Sequence, residues 1–190
     1  MKQTQINTTK KIVLVAMLAA LTAVGSMLRI TIPVDIAGTT SFHLGNIMCA
    51  LSGLLLGPWL GGLAAGLGSA IYDMFNPLYI SEAWITFLTK GAYGLVAGLI
   101  AWCGSRDKLS YGKAVAASAA AAVTYAVLYL CKGIFYSGML LKGLSFPVAA
   151  GAVFATKIPA TVFNAVVAVI GAPLLAIAIR QALKKSKLSI

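Results

Sequence analysis

The chain has 190 residues, 60% of them hydrophobic and 10% charged, with a mean hydropathy of +0.93. That balance excludes an ordinary water-soluble domain, in which about 25% of residues are charged, and it points to apolar runs facing a bilayer. The net charge of +11 is no sign of nucleic-acid binding here, because most basic residues lie in short hydrophilic pieces between the apolar runs and so report topology.

In chain order the pattern predicts an all-α polytopic membrane protein, a single domain over residues 1–190 with six spans. The first span is expected over about Ile12–Leu28, behind Lys2, Lys10 and Lys11. It has no A-x-A-like cleavage site leading to a soluble domain, so it is expected to stay in the protein rather than act as a signal peptide. Ala16, Ala19, Ala20 and Ala23, followed by Gly25, leave little bulk on one flank. Such a flank suits close helix packing, inside this chain or against another membrane subunit. The second and third spans, about His43–Leu56 and Leu60–Phe75, are separated by Gly57-Pro58 and are short for full crossings.

The fourth span is expected over about Ala83–Cys103, the fifth over Lys113–Tyr136, and the sixth from after Pro147 to near Arg180. Six spans put three basic segments on one side: the N-terminal lysines, then Arg106, Lys108 and Lys113, then Arg180, Lys184, Lys185 and Lys187. The positive-inside rule makes that side the cytoplasm, with both termini inside. The opposite loops carry Arg29, Asp35, Glu82 and Lys142.

Polar residues inside spans are costly and mark pathways or sites. Thr86, Lys90 and Tyr93 share one helix face by their i, i+4, i+7 spacing. Tyr125, Tyr129, Lys132 and Tyr136 do so in the fifth span, and Lys157, Thr161 and Asn164 in the sixth. Ser69, Tyr72 and Asp73 end the third span, and His43 and Asn46 begin the second. Counted from the cytoplasmic anchors, these positions gather in the outer half of the bundle. They predict an amphipathic cavity for a flat, polar, ring-shaped ligand. The candidate ligand-binding residues are Asn46, Tyr72, Asp73, Glu82, Thr86, Lys90, Tyr93, Tyr125, Tyr129, Lys132, Lys157 and Asn164. Lys90, too deep to reach the interface, needs an acidic, carbonyl or ligand partner. Lys132 and Lys157 are open to a snorkelling role, Tyr136 fits an aromatic belt, and His43 reads as structural.

Chemistry other than binding finds little support. The sequence has a single histidine and no HExxH, nucleophile elbow, paired carboxylates or Walker A motif, so neither catalysis nor ATP hydrolysis by this chain is expected. No cofactor or metal is expected either. Cys49, Cys103 and Cys131 read as small buried hydrophobes. A stand-alone channel or secondary carrier for a small polar aromatic solute is the alternative. Polar positions confined to one end of the spans and the lack of an inverted repeat weigh against it.

Four segments resemble the substrate-binding S components of energy-coupling factor vitamin transporters. They are Val15–Gly25, Arg29-Ile30-Thr31-Ile32-Pro33, the run from His43-Leu44-Gly45-Asn46 through Gly53–Pro58 to Asp73, and Thr86–Gly91 followed by Gly94. The chain is most similar to the subgroup assigned to riboflavin, hydroxymethylpyrimidine or pyridoxine-like substrates. The resemblance implies six helices, a ligand site near the outer surface closed by the first outer loop, a transmembrane coupling subunit and two cytoplasmic ATPases. It also implies that Ala16, Ala20 and Ala23 dock the coupling subunit. The subgroup often has an acid where Asn46 stands, a departure that bears on ligand identity.

Overall fold

A computed structural model describes residues 7–34, 38–104 and 109–186. The sequence markers Lys2, Asp35, Arg106, Lys108 and Lys187 lie outside the described residues. The described residues form six α-helices. They are α1 (Thr8–Met27), α2 (Gly45–Leu56), α3 (Pro58–Met74), α4 (Ala83–Trp102), α5 (Tyr111–Cys131) and α6 (Phe146–Lys185). A 3-10 turn (Ile80–Glu82) leads into α4, and a π-helical stretch (Lys132–Leu141) continues α5.

Local sequence explains the boundaries. Gly57 stops α2 with φ 80°, a left-handed conformation that glycine adopts without penalty, and Pro58 opens the first turn of α3. Ser110 caps α5 by accepting a hydrogen bond from the Lys113 amide. Four segments are long and apolar enough to cross a membrane: α1, Ile80–Trp102, Tyr111–Leu141 and α6. The 12-residue α2 is about 18 Å long, some 12 Å short of a hydrocarbon core of about 30 Å.

The loop ahead of α2 is not irregular. β1 (Arg29–Val34) pairs antiparallel with β2 (Gly38–His43), Arg29 opposite His43 and Thr31 opposite Ser41. The polar–apolar alternation Arg29-Ile30-Thr31-Ile32 is a period-2 pattern. It puts Arg29, Thr31, Ser41 and His43 on one face.

Helix packing is close because the side chains between the helices are small. An ideal Cβ on Gly53 of α2 would lie 2.2 Å from the Gly94 carbonyl oxygen of α4, and one on Gly68 of α3 would lie 2.2 Å from that of Ala19 on α1. Backbone meets backbone at both crossings, and in a bilayer such contact replaces the hydrophobic drive that lipid does not supply. Toward the end where α1 begins and α6 finishes, the core is aliphatic and rich in alanine, with Leu51, Leu54, Ala97, Ala101, Ala117 and Ala172 buried. There Arg180 of α6 and Trp102 of α4 both donate to the Leu54 carbonyl, 3.1 and 3.4 Å away, satisfying an orphan acceptor in the last turn of α2.

On α1, Ala19 and Thr22 are buried against α3, whereas Ala16 and Ala20 face away from the bundle and Ala23 is half-buried. The cysteine expectation needs correcting. Cys49 is buried, but Cys103 and Cys131 are exposed. Cys103 follows the end of α4, and Cys131 sits on an outward face, where a membrane helix carries apolar side chains as readily as in its core.

Candidate ligand-binding site

Above the N-terminus of α2, under the hairpin, lies a cavity of about 310 Å³ walled by the hairpin, α3, α4, α5, the π-helical stretch and α6. The shortness of α2 leaves this depth open, and the hairpin covers it. Nine of the sequence-predicted residues line it: Asp73, Glu82, Thr86, Lys90, Tyr125, Tyr129, Lys132, Lys157 and Asn164. The other three stand behind the wall. Tyr93 is fully buried and packs edge-on against Tyr125, Tyr72 lies under the Arg29 guanidinium at 4.1 Å, and Asn46 reaches Lys90 from α2.

The aromatic wall is a column. Tyr125 and Tyr129 stack at 5.6 Å with 21° between their planes. Each ring holds a cation: the Lys90 ammonium lies 4.0 Å from the Tyr125 centroid and the Lys157 ammonium 5.1 Å from that of Tyr129. Lys90 also donates to the Asn46 side-chain oxygen. Its partner is therefore a carbonyl rather than either acid on that side. Lys132 does not snorkel, because it pairs with Glu82 at 2.5 Å. Lys157 is also buried and faces the cavity.

Winding of the chain after α5 changes which residues point inward. The π-helix repeats at i+5 rather than i+4, so Ser137, five residues on from Lys132, lines the cavity and donates to Glu82 at 3.0 Å. Tyr136 is turned outward, edge-on to Trp84 and hydrogen-bonded to the Ser81 carbonyl. A 3.6-residue stripe carried past Lys132 misassigns that position.

Asn164 lines the cavity, but its amide is engaged with the hairpin. Its oxygen accepts from the His43 backbone N–H at 2.9 Å and its nitrogen donates to the Ser41 carbonyl at 2.8 Å. This bidentate clamp satisfies β2 and ties the hairpin to α6. The Ser41 hydroxyl, 3.1 Å from the Tyr79 hydroxyl, ties it to the α3–α4 connection. His43 accepts from the Gly45 N–H through Nδ1 at 3.1 Å. Burial, then the charges of Lys90 and Arg29, hold its imidazole well below the usual range.

The cavity lies inside an apolar helical bundle and is lined by charged, polar and aromatic side chains. The sequence profile of the ECF-type riboflavin transporter S component family matches residues 6–181. The chain belongs to that family. Membership places this S component among multi-pass transport subunits rather than enzymes. It is 36% identical over 94 residues to an "uncharacterized protein in gap 3'region" of Pyrococcus woesei, covering 50% of this chain and 57% of that one. It is 36% identical over 93 residues to a UPF0397 protein of Streptococcus gordonii, covering 49% and 47%. The chain thus spans about half the length of the curated relatives it matches.

Sequence reasoning did not assign Arg29, Ser41 and Tyr79 to the S component's cavity, and it read His43 as structural. All four line it. The strand alternation after Leu28 was the available signal for Arg29, Ser41 and His43. Tyr79 sits in a connection with no periodicity to read.

Proposed function

We propose that this chain is the substrate-capturing subunit of an ATP-driven importer for a water-soluble vitamin or vitamin precursor. It takes up a small, flat, polar solute of the riboflavin, hydroxymethylpyrimidine or pyridoxine kind in the cavity beneath the hairpin. In this reading the six-helix bundle lies in a bacterial cytoplasmic membrane, the short α2 crossing only part of the core, with the hairpin outside and both termini inside. Lys10, Lys11, Lys113, Lys184 and Lys185, at the end opposite the hairpin, support that orientation.

One observation carries the reading. The cavity is polar and aromatic at the hairpin end, and below it the bundle is filled by buried Leu and Ala side chains. A ligand that enters from the hairpin side meets a floor, not a path. Delivery then requires a partner that moves or distorts this subunit, in keeping with a coupling subunit and two cytoplasmic ATPases. The outward-facing Ala16 and Ala20, with the half-buried Ala23 beside them, support α1 as the docking face.

Ala20→Trp tests this. Of α1 only Ser26, six residues beyond Ala20 at the end of the helix, lines the cavity among the described residues, so the purified variant should bind ligand as the wild type does. It should fail to co-purify with the coupling module and should lose uptake in cells. Wild-type protein that accumulates substrate in liposomes with no ATPase present would overturn the reading in favour of a self-sufficient carrier. Loss of folding and binding together would remove the docking face.

A further inference from the structure

The cavity carries an imbalance of charge. Arg29, Lys90, Lys132 and Lys157 face Asp73 and Glu82, an excess of two positive charges among the described lining residues. Lys132 and Glu82 neutralise each other in their ion pair. The remaining three cations share one further carboxylate, Asp73, and are otherwise held by neutral groups. Lys90 has the Asn46 amide oxygen and the Tyr125 ring. Arg29 has the Ser26 carbonyl, at 2.7 Å from Nε, and the rings of Tyr72 and Tyr79. The Lys157 ammonium has the Tyr129 ring, and among the described residues no acceptor atom lies within hydrogen-bonding distance of it. Its side chain is nonetheless 5% exposed and reaches the cavity.

Taking a cation out of water is expensive unless an anion or a set of acceptors compensates. Tyrosine rings and single carbonyls compensate in part. Nothing in the wall neutralises both Lys90 and Arg29 or supplies Lys157 with an acceptor, and the space all three face is the ligand's. Size narrows the occupant further. A volume of about 310 Å³ lies at the bottom of the roughly 300–1,000 Å³ range of small-molecule sites.

Building on the capture reading above, we infer that the ligand is a single-ring aromatic molecule bearing an anionic group, a carboxylate or a phosphate. The ring packs at the Tyr125–Tyr129 wall, and the anion is taken by Lys157 with Arg29 or Lys90. Asn46, neutral beside Lys90, leaves that excess charge in place.

The test is calorimetry on the full-length protein in nanodiscs, with matched probe pairs that differ in charge: nicotinate against nicotinamide, and pyridoxine 5'-phosphate against pyridoxine. In whichever pair binds, the charged member should bind at least tenfold more tightly, and the pair that responds distinguishes carboxylate from phosphate. Lys157→Met should bring the charged member to the level of its neutral partner without lowering the melting temperature of the empty protein. Asn46→Asp, which places a carboxylate beside Lys90, should reduce the discrimination at least fivefold, and it decides the matter if Lys157→Met does not fold. Neutral members that bind equally or better would overturn the anionic ligand and leave the capture subunit standing. Discrimination that survives both substitutions would overturn the assignment of these residues. Binding of no member of either pair would overturn the anionic single-ring ligand, and titration with riboflavin and hydroxymethylpyrimidine would then decide whether the capture reading stands.

Discussion

The contact between Lys90 and Asn46 predicts a measurable coupling. Lys90 is 5% exposed, and its ammonium is held by the Asn46 oxygen and by the Tyr125 ring at 4.0 Å. Asn46→Leu keeps the branched shape, with somewhat more bulk, but removes the acceptor, leaving a buried cation on the ring alone. A hydrogen bond to a charged group contributes about 1.5–3 kcal/mol, and an abandoned charged partner costs at least as much. The single variant should therefore lose about 2–3 kcal/mol. Lys90→Met leaves only a neutral carbonyl without its donor, at a cost of about 1–3 kcal/mol. The double variant abandons neither partner, so its loss should fall short of the sum by about 1.5–3 kcal/mol, the coupling such a cycle isolates. One kcal/mol moves the midpoint by about 2–4 °C at this chain length. Thermal melts of the ligand-free protein in detergent should then place the double variant several degrees above the value obtained by adding the two single losses. Single-variant effects that add within about 0.5 kcal/mol would show that this bond does not hold Lys90, and the neutral anchoring of that cation would have to be abandoned.

Tyr129→Leu should weaken ligand binding roughly three- to tenfold, the equivalent of an aromatic contact of about 0.5–1.5 kcal/mol; unchanged affinity in calorimetry would remove that ring from the binding surface. Asn164→Ala breaks two hydrogen bonds to β2 at about 1 kcal/mol each. Hydrogen exchange should show the His43 amide losing protection, with faster ligand release in stopped-flow traces. The His43 imidazole is depressed in the folded protein, so the unfolded chain binds the extra proton first as pH falls. Stability should be constant above about pH 6.5 and decline below it. His43→Asn, which keeps an acceptor for the Gly45 amide, should flatten melting curves recorded between about pH 5.5 and 6.5.

Much of the site was legible because helical side chains obey fixed arithmetic. Thr86 and Lys90, Tyr125 and Tyr129, and Lys157 and Asn164 each recur at helical spacing, and each pair does face the cavity. The arithmetic failed where the geometry beneath it changed. Past Lys132 the winding becomes π-helical, so Ser137 replaces Tyr136 on the inner face. No feature of the sequence Lys132–Leu141 announces that change, because the switch depends on packing against α6 and the 3-10 turn. The hairpin is a different kind of loss. Its alternation is visible from Arg29 to Ile32, but at six residues per strand it is readily taken for an irregular loop between spans. Asn164 shows a third limit. Spacing places a residue on a face, yet it does not reveal whether its amide serves a ligand or, as here, the backbone of β2.

The same elements that escape a periodic reading determine what the bundle can do. A full-length second helix would fill the bundle with side chains from end to end. At 12 residues, α2 is instead about 12 Å shorter than a bilayer core is thick. The hairpin spans that gap without filling it, since its polar face presents Arg29, Ser41 and His43 to the space below. Its attachments include the Asn164 clamp, the Ser41–Tyr79 contact, the Arg29 stack on Tyr72 and Tyr79, and the edge-on contact of Phe42 with Phe163 of α6. These are side-chain contacts rather than interlocked backbones of the kind at Gly53 and Gly68. They rank among the weaker interactions in the molecule, at about 1–2 kcal/mol each. The helices are therefore hard to separate, whereas the hairpin is released by breaking a handful of side-chain contacts. That difference in strength makes the hairpin, rather than the Leu- and Ala-filled floor, the side of the cavity that opens most readily.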